Sequence, residues 1–148
     1  MKAHTVHTEI EISAPAGRIW KILTDIRGYH SWNPMIRNAR GKLKVGAWLR
    51  LYFHPRGTIG VIFHPYLVTV DEPREFRWRG LLAVPKVFVA EHVFYVTAVN
   101  DKQTLLVQDM EFYGLFAPLA VKLKGRMMRE AFDGMNRALK QQAETRQA

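Results

Sequence analysis

Val6, Thr8, Ile10 and Ile12 alternate with His7, Glu9 and Glu11, the two-residue period of a strand with one buried face. The period then changes. Ile19, Ile22, Leu23 and Ile26 recur at three- and four-residue spacing, the apolar stripe of a helix. Ser13 is placed to cap that helix, and Pro15 falls in its first turn, where a missing N–H is harmless. Asp25, Gly28 and the Asn33-Pro34 pair close it, with a short second helical turn through Tyr29 to Trp32. Strand patterns then follow one another over Met35 to Gly41, Trp48 to His54, Thr58 to Val70, Glu75 to Leu81, Val87 to Val99 and Thr104 to Tyr113. Gly46, Pro55-Arg56-Gly57, Asp71-Glu72-Pro73 and Asn100-Asp101 supply the turns, and His54-Pro55 and His64-Pro65 mark strand ends or bulges. No helix interrupts this run, which predicts an antiparallel sheet of about seven strands in an α+β fold.

The chain then passes Gly114 and Pro118 into one long amphipathic helix, Phe116 to about Ala143. At about 100° per residue, Phe116, Leu119, Ala120, Leu123, Met127, Ala131, Met135, Ala138 and Leu139 cover one broad side, widened by Met128 and Phe132. Lys122, Arg126, Arg129, Asp133, Arg137 and Lys140 fall opposite. Gly134 lies on the apolar side, where a missing side chain admits close backbone approach. Lys124 also points to the apolar arc, to snorkel along a rim or to set an ammonium at a cavity mouth. A long helix beside curved antiparallel strands is expected to be wrapped by them, with room for a hollow between.

The chain has 148 residues, which suits one domain over 1–148. There is no cysteine, so disulfides, thiolate nucleophiles and Cys-based metal sites are excluded. The 22 basic against 13 acidic residues give a formal charge of +9. Such a field attracts polyanions or anionic lipid heads, but the basic residues are scattered and form no nucleic-acid module. The opening Met-Lys-Ala-His-Thr-Val-His lacks the apolar core of a signal peptide. The longest apolar stretch, around Leu81 to Ala90, is broken by Pro85 and Lys86 and is too short to span a bilayer. A cytoplasmic location is the expectation.

Several stretches resemble one known family. Glu11-Ile-Ser-Ala-Pro-Ala-Gly-Arg-Ile-Trp20 is similar to its opening strand, Ala-Pro, helix signature, and Tyr29-His-Ser-Trp-Asn-Pro34 to its aromatic–x–x–Trp–Asn–Pro segment. Phe76-Arg-Trp-Arg-Gly80 and Glu91-His-Val-Phe94 are similar to its later strands, and Glu111-Phe-Tyr-Gly-Leu-Phe116 to its entry into the last helix. The family is the START-like, helix-grip (SRPBCC) superfamily, with its polyketide cyclase/dehydrase and lipid-transport group. The resemblance runs from about Val6 to Ala143. It implies a curved sheet gripping the long helix, two short helices after the first strand, and a cavity for lipids, polyketides, quinones or aromatic compounds. Members include carriers, receptors and cyclases, so fold alone does not choose between them.

Trp32, Trp78, Phe88, Phe94, Tyr113, Phe116, Met127, Met128, Phe132 and Met135 are the candidate cavity lining, with Lys124 at its rim. Ligand sites are mostly apolar with few polar anchors, and methionine adapts to irregular guests. Each of these residues also fits an ordinary core. His92 and Glu111 are the candidate chemistry. If Val99 pairs with Thr104, His92 stands opposite Glu111, with Asp109 on the same face, and the carboxylate could orient the imidazole for acid–base work. A one-residue slip would separate them. No metal site and no cofactor are expected, since neither ligand spacing nor a phosphate-binding loop is present. The leading expectation is binding or carrying of a small hydrophobic ligand, with an anionic membrane surface as a further partner. The alternatives are a cyclase or dehydratase using His92 and Glu111, and a charge-driven nucleic-acid or protein interaction module.

Overall fold

The first strand, β1 (His4–Ile12), buries Val6, Thr8 and Ile12 and turns His7, Glu9 and Glu11 outward, as its alternation requires. The structure is a computed structural model that describes residues 3–81 and 88–145. α1 (Ala16–Thr24) follows, burying Ile19, Trp20 and Leu23. Its N-cap is Pro15, with no side-chain capping bond. Ser13 is therefore not the cap; its backbone N–H instead donates to Glu144 Oε2 at 2.8 Å, tying the start of the fold to the end of the last helix. A 3-10 turn, Ile26–Ser31, replaces the short helical turn expected at Tyr29 to Trp32. Its Tyr29 is fully buried and donates its hydroxyl to the Leu23 carbonyl.

The remaining strands are β2 (Ile36–Arg40), β3 (Arg50–Phe53), β4 (Val61–Phe63), β5 (Tyr66–Asp71), β6 (Glu75–Leu81), β7 (Val89–Asn100) and β8 (Gln103–Tyr113), before α2 (Ala117–Thr145). Val87, where the last hairpin was expected to begin, lies outside the described residues. Among the described residues the strands number eight rather than about seven. The expected strand from Thr58 to Val70 breaks at His64-Pro65, because proline has no N–H to continue a ladder. The strands form two antiparallel sheets, ordered β1-β8-β7-β6-β5 and β2-β3-β4. Backbone bonds stitch them together: Leu67 N–H donates to Ala47 at 2.9 Å and Leu49 N–H to Pro65 at 2.7 Å. Gly41, at φ 142°, lets the end of β2 lie against the segment that enters β3, since a Cβ there would stand 2.9 Å from the Trp48 carbonyl oxygen.

α2 enters the grip through Gly114, at φ 108°, and lies on β1 and β8. This is the helix-grip fold. The buried face of α2 is Ala117, Gly125, Phe132, Met135, Asn136, Leu139 and Ala143. Phe116, Leu119 and Leu123, expected on the apolar side, face solvent instead. The departure is confined to the first half of α2, where Ala117 and Gly125 are buried; Phe132, Met135 and Leu139 of the expected side are buried further along. Gly125 makes the close approach: a Cβ there would lie 3.8 Å from Val6 Cγ2. At Gly134, expected to do this, a Cβ would meet nothing nearer than 4.0 Å. No helix among the described residues is long and apolar enough to cross a membrane.

Candidate functional site

The concave face of the large sheet does not close completely on α2. A cavity of about 130 Å³ remains between them. Trp78 and Gly80 from β6, Ala90 and His92 from β7, and Met110 and Phe112 from β8 form one wall. Phe53 and Phe63 of the small sheet stand across from it, and Met128 and Phe132 of α2 close it from above. Among the described residues the lining is almost wholly apolar, with the imidazole of His92 set into it.

His92 is 3% exposed and sits among rings: its centroid is 4.8 Å from Trp78, 4.8 Å from Phe94 and 4.9 Å from Phe132. Burial penalises the imidazolium and lowers its pKa to about 4, against a smaller upward pull from Gln108. The ring is neutral at pH 7. His92 Nε2 and Gln108 Oε1 are 2.8 Å apart. Gln108 Nε2 donates in turn to Asn136 Oδ1 at 2.6 Å, and Asn136 Nδ2 to Thr8 Oγ1 at 3.0 Å. Thr8 Oγ1 donates to the Gln108 carbonyl at 2.6 Å. Four buried polar side chains from β7, β8, α2 and β1 thus form one chain ending at the cavity wall.

The expected His92–Glu111 pair does not form. His92 stands opposite Met110, and Glu111 opposite Glu91. A register shift between Ala98 and Asn100 pairs Ala98, not Val99, with Thr104. Asn100 Oδ1 accepts the Lys102 N–H at 2.8 Å, so the turn is built on Asp101-Lys102 and Val99 is the displaced residue. One residue of slip sends alternate side chains to the other face. Glu111 and Asp109 therefore share the outer face, away from His92. There Arg77 Nη1 meets Glu91 Oε1 at 2.6 Å and Glu111 Oε1 at 2.7 Å, and Arg79 Nε meets Glu91 Oε2 at 2.5 Å. Burial opposes the Arg77 charge, but the three carboxylates of Glu91, Glu111 and Glu75 outweigh it and raise its pKa. Asp109 meets His7 Nδ1 at 2.7 Å.

Of the expected lining, Trp78, Met128 and Phe132 reach the cavity. Phe88 stacks on Phe112, centroids 5.4 Å apart, rather than lining the space itself. Phe94 and Met135 are fully buried core. Trp32 packs edge-on to Tyr29 at 5.4 Å, outside the lining. Tyr113 belongs to the outer face, where its hydroxyl donates to Glu111 at 3.2 Å. Phe116 is 49% exposed, Met127 is half-buried outside the lining, and Lys124 is exposed. Gln108, Asn136 and Thr8 were not anticipated. Their signal was a polar residue on an otherwise apolar face: Gln108 between Leu106 and Met110, Asn136 one turn after Phe132.

The chain belongs to the polyketide cyclase / dehydrase and lipid transport family, whose profile matches residues 3–144. Its fold is shared with a START superfamily protein from Mycobacterium smegmatis, at 22% identity and TM-score 0.71, over 95% of this chain and 97% of that one. Norcoclaurine synthase from Thalictrum flavum, whose structure holds dopamine and hydroxybenzaldehyde, superposes at 14% identity and TM-score 0.74, over 99% and 90%. The Zhui aromatase/cyclase from Streptomyces sp. R1128 does so at 20% identity and TM-score 0.70, over 98% and 96%. No curated protein sequence matches the chain.

Proposed function

We propose that this protein binds a small hydrophobic molecule, about one aromatic ring in size, in the cavity between its sheet and α2. The observation that carries this reading is the cavity of about 130 Å³ with apolar walls. A void of roughly 150 Å³ lined by apolar side chains stays dry and takes up benzene, while drug-sized ligands occupy roughly 300–1,000 Å³. Binding is favoured over cyclisation by a His–carboxylate dyad, because Glu111 lies across the sheet from His92. Titrating isotope-labelled protein with toluene tests the proposal. Saturable shifts at the Met110 and Met128 methyls and the Trp78 indole support it; unchanged signals at all three overturn it.

A second reading concerns how a guest arrives. Leu115, Phe116, Leu119 and Leu123 are all exposed near the start of α2. Lys122, Lys124, Arg126 and Arg129 are exposed beside them. Apolar side chains next to lysine and arginine suit an anionic lipid surface, and Met128 on the same helix lines the cavity. Flotation should show binding to phosphatidylglycerol-containing vesicles and none to pure phosphatidylcholine. Equal behaviour toward both would remove this reading.

A further inference from the structure

The polar chain behind the cavity has a direction, and that direction can be read from a backbone atom. A carbonyl oxygen only accepts. Thr8 Oγ1, 2.6 Å from the Gln108 carbonyl, must spend its one hydrogen there. It is then an acceptor toward Asn136, so Asn136 presents its NH₂ to Thr8 and its Oδ1 to Gln108. Gln108 must in turn present its NH₂ to Asn136, an orientation reinforced by the Phe132 carbonyl at 3.4 Å. Gln108 Oε1 is left for His92. An oxygen accepts, so the hydrogen of the neutral imidazole sits on Nε2, and Nδ1 is a bare lone pair. Nδ1 has no hydrogen bond among the described residues.

Resting on the cavity-binding reading above, we infer that the guest is a neutral, hydroxyl-bearing molecule of the phenol class, held by donation of its O–H to His92 Nδ1. Thr8, Asn136 and Gln108 are positioning residues that hold His92 in the accepting tautomer. Among the described residues the remaining side-chain nitrogen in the wall is the indole of Trp78, which also lacks a hydrogen bond there and whose ring lies 4.8 Å from His92. A hydroxyl both donates and accepts, so it can serve both groups. A quinone or ketone oxygen only accepts and cannot bond Nδ1. A carboxylate would bring an unpaired charge into an apolar space, which is strongly disfavoured. The low pKa of His92 keeps the lone pair free at neutral pH.

Imidazole ¹H–¹⁵N correlation spectra at pH 7 test the tautomer: Nε2 should be the protonated nitrogen of His92, and a proton on Nδ1 overturns the inference. Titrations with phenol, anisole and toluene test the guest. Phenol should bind roughly ten-fold more tightly than anisole, its O-methyl ether. Equal affinities overturn the hydroxyl inference while leaving the cavity reading intact, whereas no binding of any of the three defeats the cavity reading itself. In Thr8→Val the amide chain loses its anchor. The phenol preference should shrink several-fold with toluene affinity unchanged; a preserved preference would show that Thr8 sets nothing. The wild-type measurements decide the main inference even if that variant folds poorly.

Discussion

Arg77 donates to Glu91 across the outer face of the large sheet, Nη1 to Oε1 at 2.6 Å, with the two side chains only 14% and 7% exposed. The same arginine holds Glu111, and Glu91 also holds Arg79. Removing one member of a buried ion pair strands the other. Glu91→Ala should therefore destabilise the fold by about 3 kcal/mol, measured by urea denaturation. Glu111→Gln should cost less, because Glu111 is 19% exposed and bonds a single arginine nitrogen. Equal losses would show that Glu91 is not the centre of the cluster.

His92 makes stability depend on pH. Its folded pKa, about 4, lies below the ordinary value of 6.5. Between these values the unfolded chain binds the extra proton, so stability rises with pH across the window. The contribution is complete above pH 6.5 and is lost as pH falls toward 4. A gap of that size is on the order of 3 kcal/mol. Melting temperatures from pH 4 to pH 7 should climb more steeply for the wild type than for His92→Gln. Parallel curves would mean that His92 does not titrate in this window.

Asn136 joins the helix to the two neighbouring strands β8 and β1 through Gln108 and Thr8. Among the described residues, Asn136→Ala leaves the Gln108 NH₂ group with only the long bond to the Phe132 carbonyl. It should cost about 1–3 kcal/mol. Combined with Thr8→Val, the losses should fall short of additive, since both cut one network. Strict additivity in calorimetric unfolding would show two independent bonds.

Filling the void should separate binding from stability. Ala90 lines the cavity from β7, and Ala90→Leu places three more carbons in it. Toluene affinity should drop at least about ten-fold while the melting temperature holds or rises, as expected for a filled cavity. Gly80→Ala is the milder version, its new Cβ meeting only the Ala90 carbonyl at 4.0 Å. Undiminished affinity in Ala90→Leu would move the binding site elsewhere.

The periods along the chain determined which segments are strands and helices, because burying one face of each is the same requirement wherever the segment packs. The α+β class, the last hairpin, the long terminal helix and the aromatic character of the wall were all legible, with Trp78, Met128 and Phe132 among the lining. Tertiary structure decided the rest. A register is set by a turn, and the slip at Val99 sent Glu111 to the outer face and left His92 opposite Met110, hydrogen-bonded to Gln108. In the first half of α2 the small residues Ala117 and Gly125 are the buried ones, and Phe116, Leu119 and Leu123 face solvent. An empty volume is where side chains from distant segments fail to meet, so no local pattern can announce it.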